Sequence, residues 1–203
     1  MKKNKVIILI VCSVLLLYFI GGIVYNFWLK DLIKTNKEEI GITIKGFDYI
    51  LYDKDIDIYK DEFNILKTNL ESEEIDYLKY AYSISKLFLI DLYSLDSKIN
   101  KYDVGGIEFV YPSAKDNYRL NVENTLNKYI KDNSDGKREQ ELPQVKSVNV
   151  LSDEMIEFTI NEKKYDAYKI KASIEYVKDL EYDKEAELII IKEDKYLYIV
   201  EKN

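Results

Sequence analysis

Ser83 and Lys86 form a Ser-x-x-Lys pair, the spacing at which a lysine one helical turn away serves a serine nucleophile. The rest of that machinery is missing. Ser134-Asp135-Gly136 ends in glycine where asparagine is required, and no Lys-Thr-Gly occurs. The pair therefore reads as ordinary helix surface. Asp53, Asp55 and Asp57 occupy positions 1, 3 and 5 of a calcium-binding loop, but Ile58 stands where the turn needs glycine and Asn64 where a bidentate glutamate closes the shell. These carboxylates read instead as an acidic lead-in to a helix, at the positive end of its dipole. With no histidine and one cysteine, Cys12, the Ser-His-Asp, Cys-His and zinc arrangements cannot be assembled within one chain. Catalytic residues, metal ligands and cofactors are expected to be absent, and the chain reads as no enzyme.

Asp91 is the carboxylate that stands out. Leu87 and Phe88 lie one turn before it and Leu95 one turn after, so a helical register sets it at the edge of an apolar stripe. A carboxylate there must be paired, hydrogen-bonded or partly protonated. A structural partnership with a lysine or a sheet tyrosine is the first reading, and a polar anchor for a ligand the second. Tyrosines at 165, 168, 176, 182, 196 and 198 gather in the C-terminal region, where rings either form an interaction surface or fill half-buried strand positions.

The elements that must position these residues are legible as periodicities. Tyr59, Phe63, Leu66 and Leu70 step by three and four, one face of a helix, and Ser72 with Glu74 offers a restart. Ile75, Leu78, Ala81, Ile84, Phe88, Leu92 and Leu95 then hold one stripe, predicting a core helix of roughly 22 residues. Gly105 and Gly106 break the pattern, and Ile107, Phe109 and Tyr111 alternate as a short strand before Pro112. A third helix follows, with Ser113 as N-cap and Tyr118, Val122, Leu126 and Tyr129 as its buried face. Residues 132–140 form an exposed polar loop. Beyond Pro143 the chain alternates: Val148 and Val150, then Ile156, Phe158 and Ile160, then Tyr168 to Tyr176, each with one buried face. Leu188–Ile191 and Tyr196–Val200 are apolar on both faces, which predicts two central strands.

Ahead of all this, Val6 to Leu29 runs 24 residues without a charge behind a tail bearing Lys2, Lys3 and Lys5. At about 1.5 Å per residue that stretch spans a bilayer core of about 30 Å. It lacks alanine and is too long for the apolar core of a cleaved signal. Tyr25, Phe27 and Trp28 gather at its far end, at headgroup level. The expected organisation is a cytoplasmic tail (1–5), a transmembrane anchor (6–29), a juxtamembrane linker (30–45) and one domain (46–203) outside the cytoplasmic membrane. Lys30, Lys34 and Lys37 nearly balance the basic count, so the orientation rests on the short acid-free tail. All 37 acids follow the anchor against 27 of the 30 bases, a net charge near −10 that repels nucleic acid.

The order of helix, helix, short strand, helix and antiparallel meander predicts an α+β fold with helices on one face of a curved antiparallel sheet. That order resembles the cone-shaped roll of the nuclear transport factor two-like (cystatin-like) superfamily. The segments Ile90-Asp-Leu-Tyr-Ser-Leu-Asp-Ser-Lys-Ile99, Asp103-Val-Gly-Gly-Ile-Glu-Phe109 and Tyr118–Ile130 also resemble uncharacterised membrane-anchored proteins of Gram-positive bacteria. An anchor followed by such a roll is similar in layout to scaffold subunits of conjugation and type IV secretion machines, a likeness of layout only. In such a roll the helix stripe faces a cavity, which makes Asp91, Tyr168, Tyr176 and Tyr198 the candidate ligand contacts. The resulting expectation is a membrane-anchored interaction or scaffold module of the cell envelope. Its partners would be the bilayer, through residues 6–29, and envelope proteins or a second copy of itself. The alternative is a domain whose cone binds a small ligand or cell-wall fragment.

Overall fold

The computed structural model describes residues 41–203, so the tail, the anchor at 6–29 and linker residues 30–40 lie outside the described residues. No helix among the described residues is long and apolar enough to cross a membrane. The fold is α+β, with helices and a four-stranded antiparallel sheet. Residues 42–203 form one compact unit, and Ile44, at the end of the expected linker, is already buried in its core.

Strands β1 (Gly41–Thr43) and β2 (Ile50–Tyr52) form a two-stranded sheet ahead of the helices. Helix α1 (Asp57–Leu70) buries Tyr59, Phe63, Leu66 and Leu70, the stripe its spacing predicts, and carries Asp57 in its first turn and Lys67 in its last, both complementary to the helix dipole. The turn to α2 is held by Asn69, whose side chain donates to the Asp76 carbonyl at 2.8 Å and accepts the Asp76 N–H at 3.0 Å. Asp76 in turn caps α2 (Tyr77–Tyr93) by accepting the Lys79 N–H at 3.0 Å. Helix α2 is 17 residues long, shorter than its apolar stripe predicts. The chain leaves the helix at Ser94, and Leu95 stays buried from within a 3₁₀ turn (Leu95–Ser97).

Three expectations for residues 107–130 need correcting. Ile107, Phe109 and Tyr111 do not make a strand: Ile107–Phe109 is a 3₁₀ turn, and only Val110 bridges, in parallel, to Ile199. The two glycines bring the chain so close to α2 that a tight turn replaces an extended run. Helix α3 (Lys115–Asn124) follows a 3₁₀ turn at Pro112–Ala114 that contains Ser113, which makes no capping bond. Because α3 ends at Asn124, Tyr129 is 75% exposed and Ile130 is buried in its place.

The sheet runs in the order β3 (Val145–Ile160), β4 (Lys163–Tyr176), β5 (Glu185–Glu193), β6 (Tyr196–Lys202). The two segments read as separate strands at Val148–Val150 and Ile156–Ile160 are one 16-residue strand. Val150 pairs with Ala172 and Ser152 with Lys171, leaving Leu151 as an extra residue. That bulge resets the alternation. Val148 and Val150 join the core beneath the helices, whereas Ile156, Phe158 and Ile160 pack with Tyr165, Ala167, Ile189 and Ile191 on the opposite sheet face. Asn161 and Glu162, both at positive φ, make the tight β3–β4 turn. Strand β5 is central as expected, but β6 is terminal in the sheet, and its apolar outer edge meets the Val110 bridge. The main core joins Ile84, Leu87 and Phe88 of α2 to Ile170, Leu188 and Leu197 of the sheet. Each such side chain contributes about 1.5–3 kcal/mol by leaving water.

Candidate functional site: a cavity beside Asp91

A cavity of about 490 Å³ opens where β2, the start of α1, the end of α2 and the chain from Ser94 to Glu108 converge. Its construction begins at the helix end. Lys98, just past the 3₁₀ turn, is only 5% exposed, and an ammonium so buried must be paired. Its Nζ is bonded to Oδ1 of Asp91. Arg138 fixes this turn by donating to the Asp96 carbonyl at 2.6 Å and the Lys98 carbonyl at 2.7 Å.

The second oxygen of Asp91 holds the glycine loop. Gly106 donates its N–H to Oδ2 at 2.6 Å. A Cβ on Gly105 would fall 2.1 Å from the Asp91 carbonyl oxygen, and one on Gly106, at φ +73°, would fall 2.6 Å from the Phe88 ring. Only glycine fits at both positions. Tyr118 of α3 secures the loop from the other side by donating to the Gly105 carbonyl at 2.7 Å. The loop runs into the 3₁₀ turn, where buried Phe109 anchors the chain and Glu108 turns into the cavity.

Glu108 accepts the hydroxyl of Tyr59, from the first turn of α1, on Oε1. Burial pushes the Glu108 carboxyl up to about 7. Asp91 and Asp55 add to the rise, and the Tyr59 hydrogen bond and Lys115 oppose it. Burial also raises Tyr59 well above its ordinary value, with Glu108 adding to the shift, so its hydroxyl stays a donor. Asp55 is raised by burial and by Asp91, against a Tyr52 N–H that it accepts at 2.7 Å. The wall also carries Lys54, Ser94, Ser97 and Asp103, and its apolar part is made by Ile50, Ile56, Ile90, Val104 and Ile107. A carboxyl that titrates near neutrality in such a pocket exchanges a proton readily or accepts a cation. No group of three or more acidic, histidine or cysteine side chains among the described residues is placed to hold a metal ion.

The candidate residues read from sequence do not converge. Asp91 lies in this cavity, whereas Tyr168, Tyr176 and Tyr198 line none of it. Tyr168 packs against the core beneath the helices. Tyr176 donates to the Asp183 carbonyl at 2.7 Å and meets the Tyr93 ring edge-on at 6.5 Å. Tyr198 lies on the opposite sheet face, stacked on Tyr196 at 5.9 Å. Ser83 is buried, and Lys86 pairs across the helix hairpin with Glu62 at 3.3 Å. Sequence reasoning passed over Glu108, Lys98 and Tyr59. The one signal for Glu108 was an acid two residues beyond the glycine pair.

A second cavity, of about 570 Å³, lies between α2, α3 and β6. Its charged and phenolic groups Tyr93, Asp183 and Lys202 hold the sheet end: Tyr93 donates to Asp183 at 2.9 Å, and Lys202 lies 3.8 Å from the same carboxylate. The cavity beside Asp91 therefore offers more chemistry. No protein-family model, curated protein or solved structure matches this chain.

Proposed function

We propose that this chain is a membrane-anchored binding module of a Gram-positive cell envelope. In this reading residues 6–29 cross the bilayer, the tail lies inside, and a nuclear transport factor two-like roll is displayed outside. The observation that carries the binding role is the cavity beside Asp91, with isoleucine and valine on its wall and a carboxyl, Glu108, that titrates near neutrality. Core side chains such as Ile84, Leu87, Ile170 and Leu188 fill the middle of the cone, and the ligand site proposed is the cavity at the helix ends. The test is a fragment screen by ligand-observed NMR on the full chain in lipid nanodiscs, with Val104→Trp as a filled cavity. Fragments that lose binding in a Val104→Trp protein of unchanged melting temperature support the reading. Hits indifferent to the substitution, or none, overturn it.

The interaction or scaffold reading draws on a separate observation. Leu151 and Met155 are 52% and 71% exposed on β3, whose outer edge pairs with no other strand among the described residues. In-cell crosslinking from Met155 that traps a defined envelope partner or a second copy would favour it.

A further inference from the structure

We propose that the cavity beside Asp91 receives a primary ammonium carried on an apolar body, the cation seated against Oε2 of Glu108 and the body against the isoleucine and valine wall. This rests on the binding reading above and names its ligand class.

The polar groups on the wall decide the sign of the ligand. Four carboxylates, Asp55, Asp91, Asp103 and Glu108, face two lysines, Lys54 and Lys98. Lys98 is buried and committed to Asp91, and Lys54 is exposed, over the Tyr52 ring at 5.3 Å. An anion would therefore enter against an excess of like charge. Three of the acids already serve the fold: Asp91 holds Lys98 and Gly106, Asp55 takes the Tyr52 N–H, and Asp103 takes the Ile99 N–H at 3.0 Å. Glu108 uses Oε1 for Tyr59, and its Oε2 accepts no hydrogen bond among the described residues. Oδ1 of Asp55 and of Asp103 is likewise without a hydrogen bond among the described residues, and of these open acceptors the oxygen of Glu108 is the one on a carboxyl held in place by α1 through Tyr59.

The shape decides the rest. The carboxylates are spread along the wall and not gathered about one point, so a divalent cation would not find the six to eight oxygens of calcium or the octahedron of magnesium. One point charge with a hydrophobic body suits the open oxygen of Glu108 beside isoleucine and valine.

The charged groups around Glu108 also give the capture a pH signature. Tyr59 of α1, Asp55 ahead of it, Asp91 of α2 and Lys115 of α3 surround the carboxyl, and their balance with burial holds its proton to about pH 7. An ammonium docking there favours the carboxylate and expels that proton. Binding therefore strengthens as pH rises through 7 and releases a proton below it.

Three probes with one body and different heads test this: phenethylamine, 2-phenylethanol and phenylacetate. They are titrated calorimetrically into the full chain in phosphatidylcholine nanodiscs at pH 6, 7 and 8, in two buffers of different ionisation enthalpy. The expected result is amine binding at least about tenfold tighter than the alcohol at pH 8, no binding of phenylacetate, and proton release with the amine at pH 6. Glu108→Gln should lose about tenfold for the amine, abolish proton release and leave alcohol binding unchanged. Should that variant unfold, proton release by the unsubstituted chain carries the test alone. Equal binding of amine and alcohol without proton release overturns the ligand class while leaving the cavity a binding site. Binding of none of the three overturns the class, and the fragment screen separately decides the binding role.

Discussion

Asp91 accepts the backbone N–H of Gly106 at 2.6 Å, tying the end of α2 to a loop fifteen residues further along the chain. Its other oxygen holds the ammonium of Lys98, so both carboxylate oxygens are used. Asp91 thus positions Glu108 by fixing the loop that carries it.

That double engagement sets the outcome of substitution. Asp91→Ala and Asp91→Leu both strand a buried ammonium, and each should cost about 2–3 kcal/mol, below the full cost of a broken buried pair because Asp91 keeps solvent access. Asp91→Leu combined with Lys98→Met should recover most of the loss, since two apolar side chains replace the pair. Urea unfolding of the unsubstituted chain, Asp91→Leu, Lys98→Met and the double variant forms a double-mutant cycle. Additive losses would show that Lys98 does not depend on Asp91.

Glu108 makes stability depend on pH with a definite sign. Its folded-state proton affinity is raised from an ordinary 4.5 to about 7, so its favourable contribution is complete below about pH 4.5 and is lost as pH rises through 7. Glu108→Gln keeps an acceptor for Tyr59 and does not titrate. Relative to the unsubstituted chain, the variant should gain up to about 3 kcal/mol between pH 4 and pH 8, and nothing further above. A stability difference that is flat across this range would mean that Glu108 titrates as an ordinary surface carboxyl.

The expected topology has its own measurement. The acid-free tail and the uncharged stretch at 6–29 are the ground for expecting the domain outside the cytoplasmic membrane. Protease added to intact protoplasts should remove the domain while a cytoplasmic marker survives. A domain protected until lysis would reverse the orientation.

How much of this was legible follows from where each signal lies. Helices α1 and α2 read correctly because Phe63, Leu66, Ile84 and Phe88 owe their burial to positions three and four apart, which sequence displays directly. The 107–111 segment misread because Ile107, Phe109 and Tyr111 alternate as a strand does, whereas the close approach of Gly105 to α2 dictates a turn. Strand β6 misread because its outer edge is met by Val110, a contact spanning 89 residues that periodicity does not carry. Asp91 stood out against its apolar neighbours, but Glu108 looked like the outward side of a strand. Its partner Tyr59 lies 49 residues away on another helix. The site is thus a tertiary assembly in which only one member carried a local signature.

The bulge at Leu151 yields the last prediction. Val150 faces Ala172 under the helices, and Ser152 faces Lys171, so Leu151 is the one residue between them without a partner in the register. It is 52% exposed. Deleting Leu151 leaves every later pair intact: Ile156 still meets Ala167 and Phe158 still meets Tyr165 on the opposite face. The strand straightens locally, and the loss should stay near 1 kcal/mol, within the range of ordinary substitutions. Deleting Glu154, which pairs with Lys169, shifts the register of everything beyond it by one. Either Ile156, Phe158 and Ile160 turn to the wrong face, or the Asn161–Glu162 turn is broken, and the domain should lose several kcal/mol. Thermal unfolding of the two deletion variants compares a residue outside the ladder with one inside it. Equal losses would show that Leu151 belongs to the ladder and that the phase change in β3 has another origin.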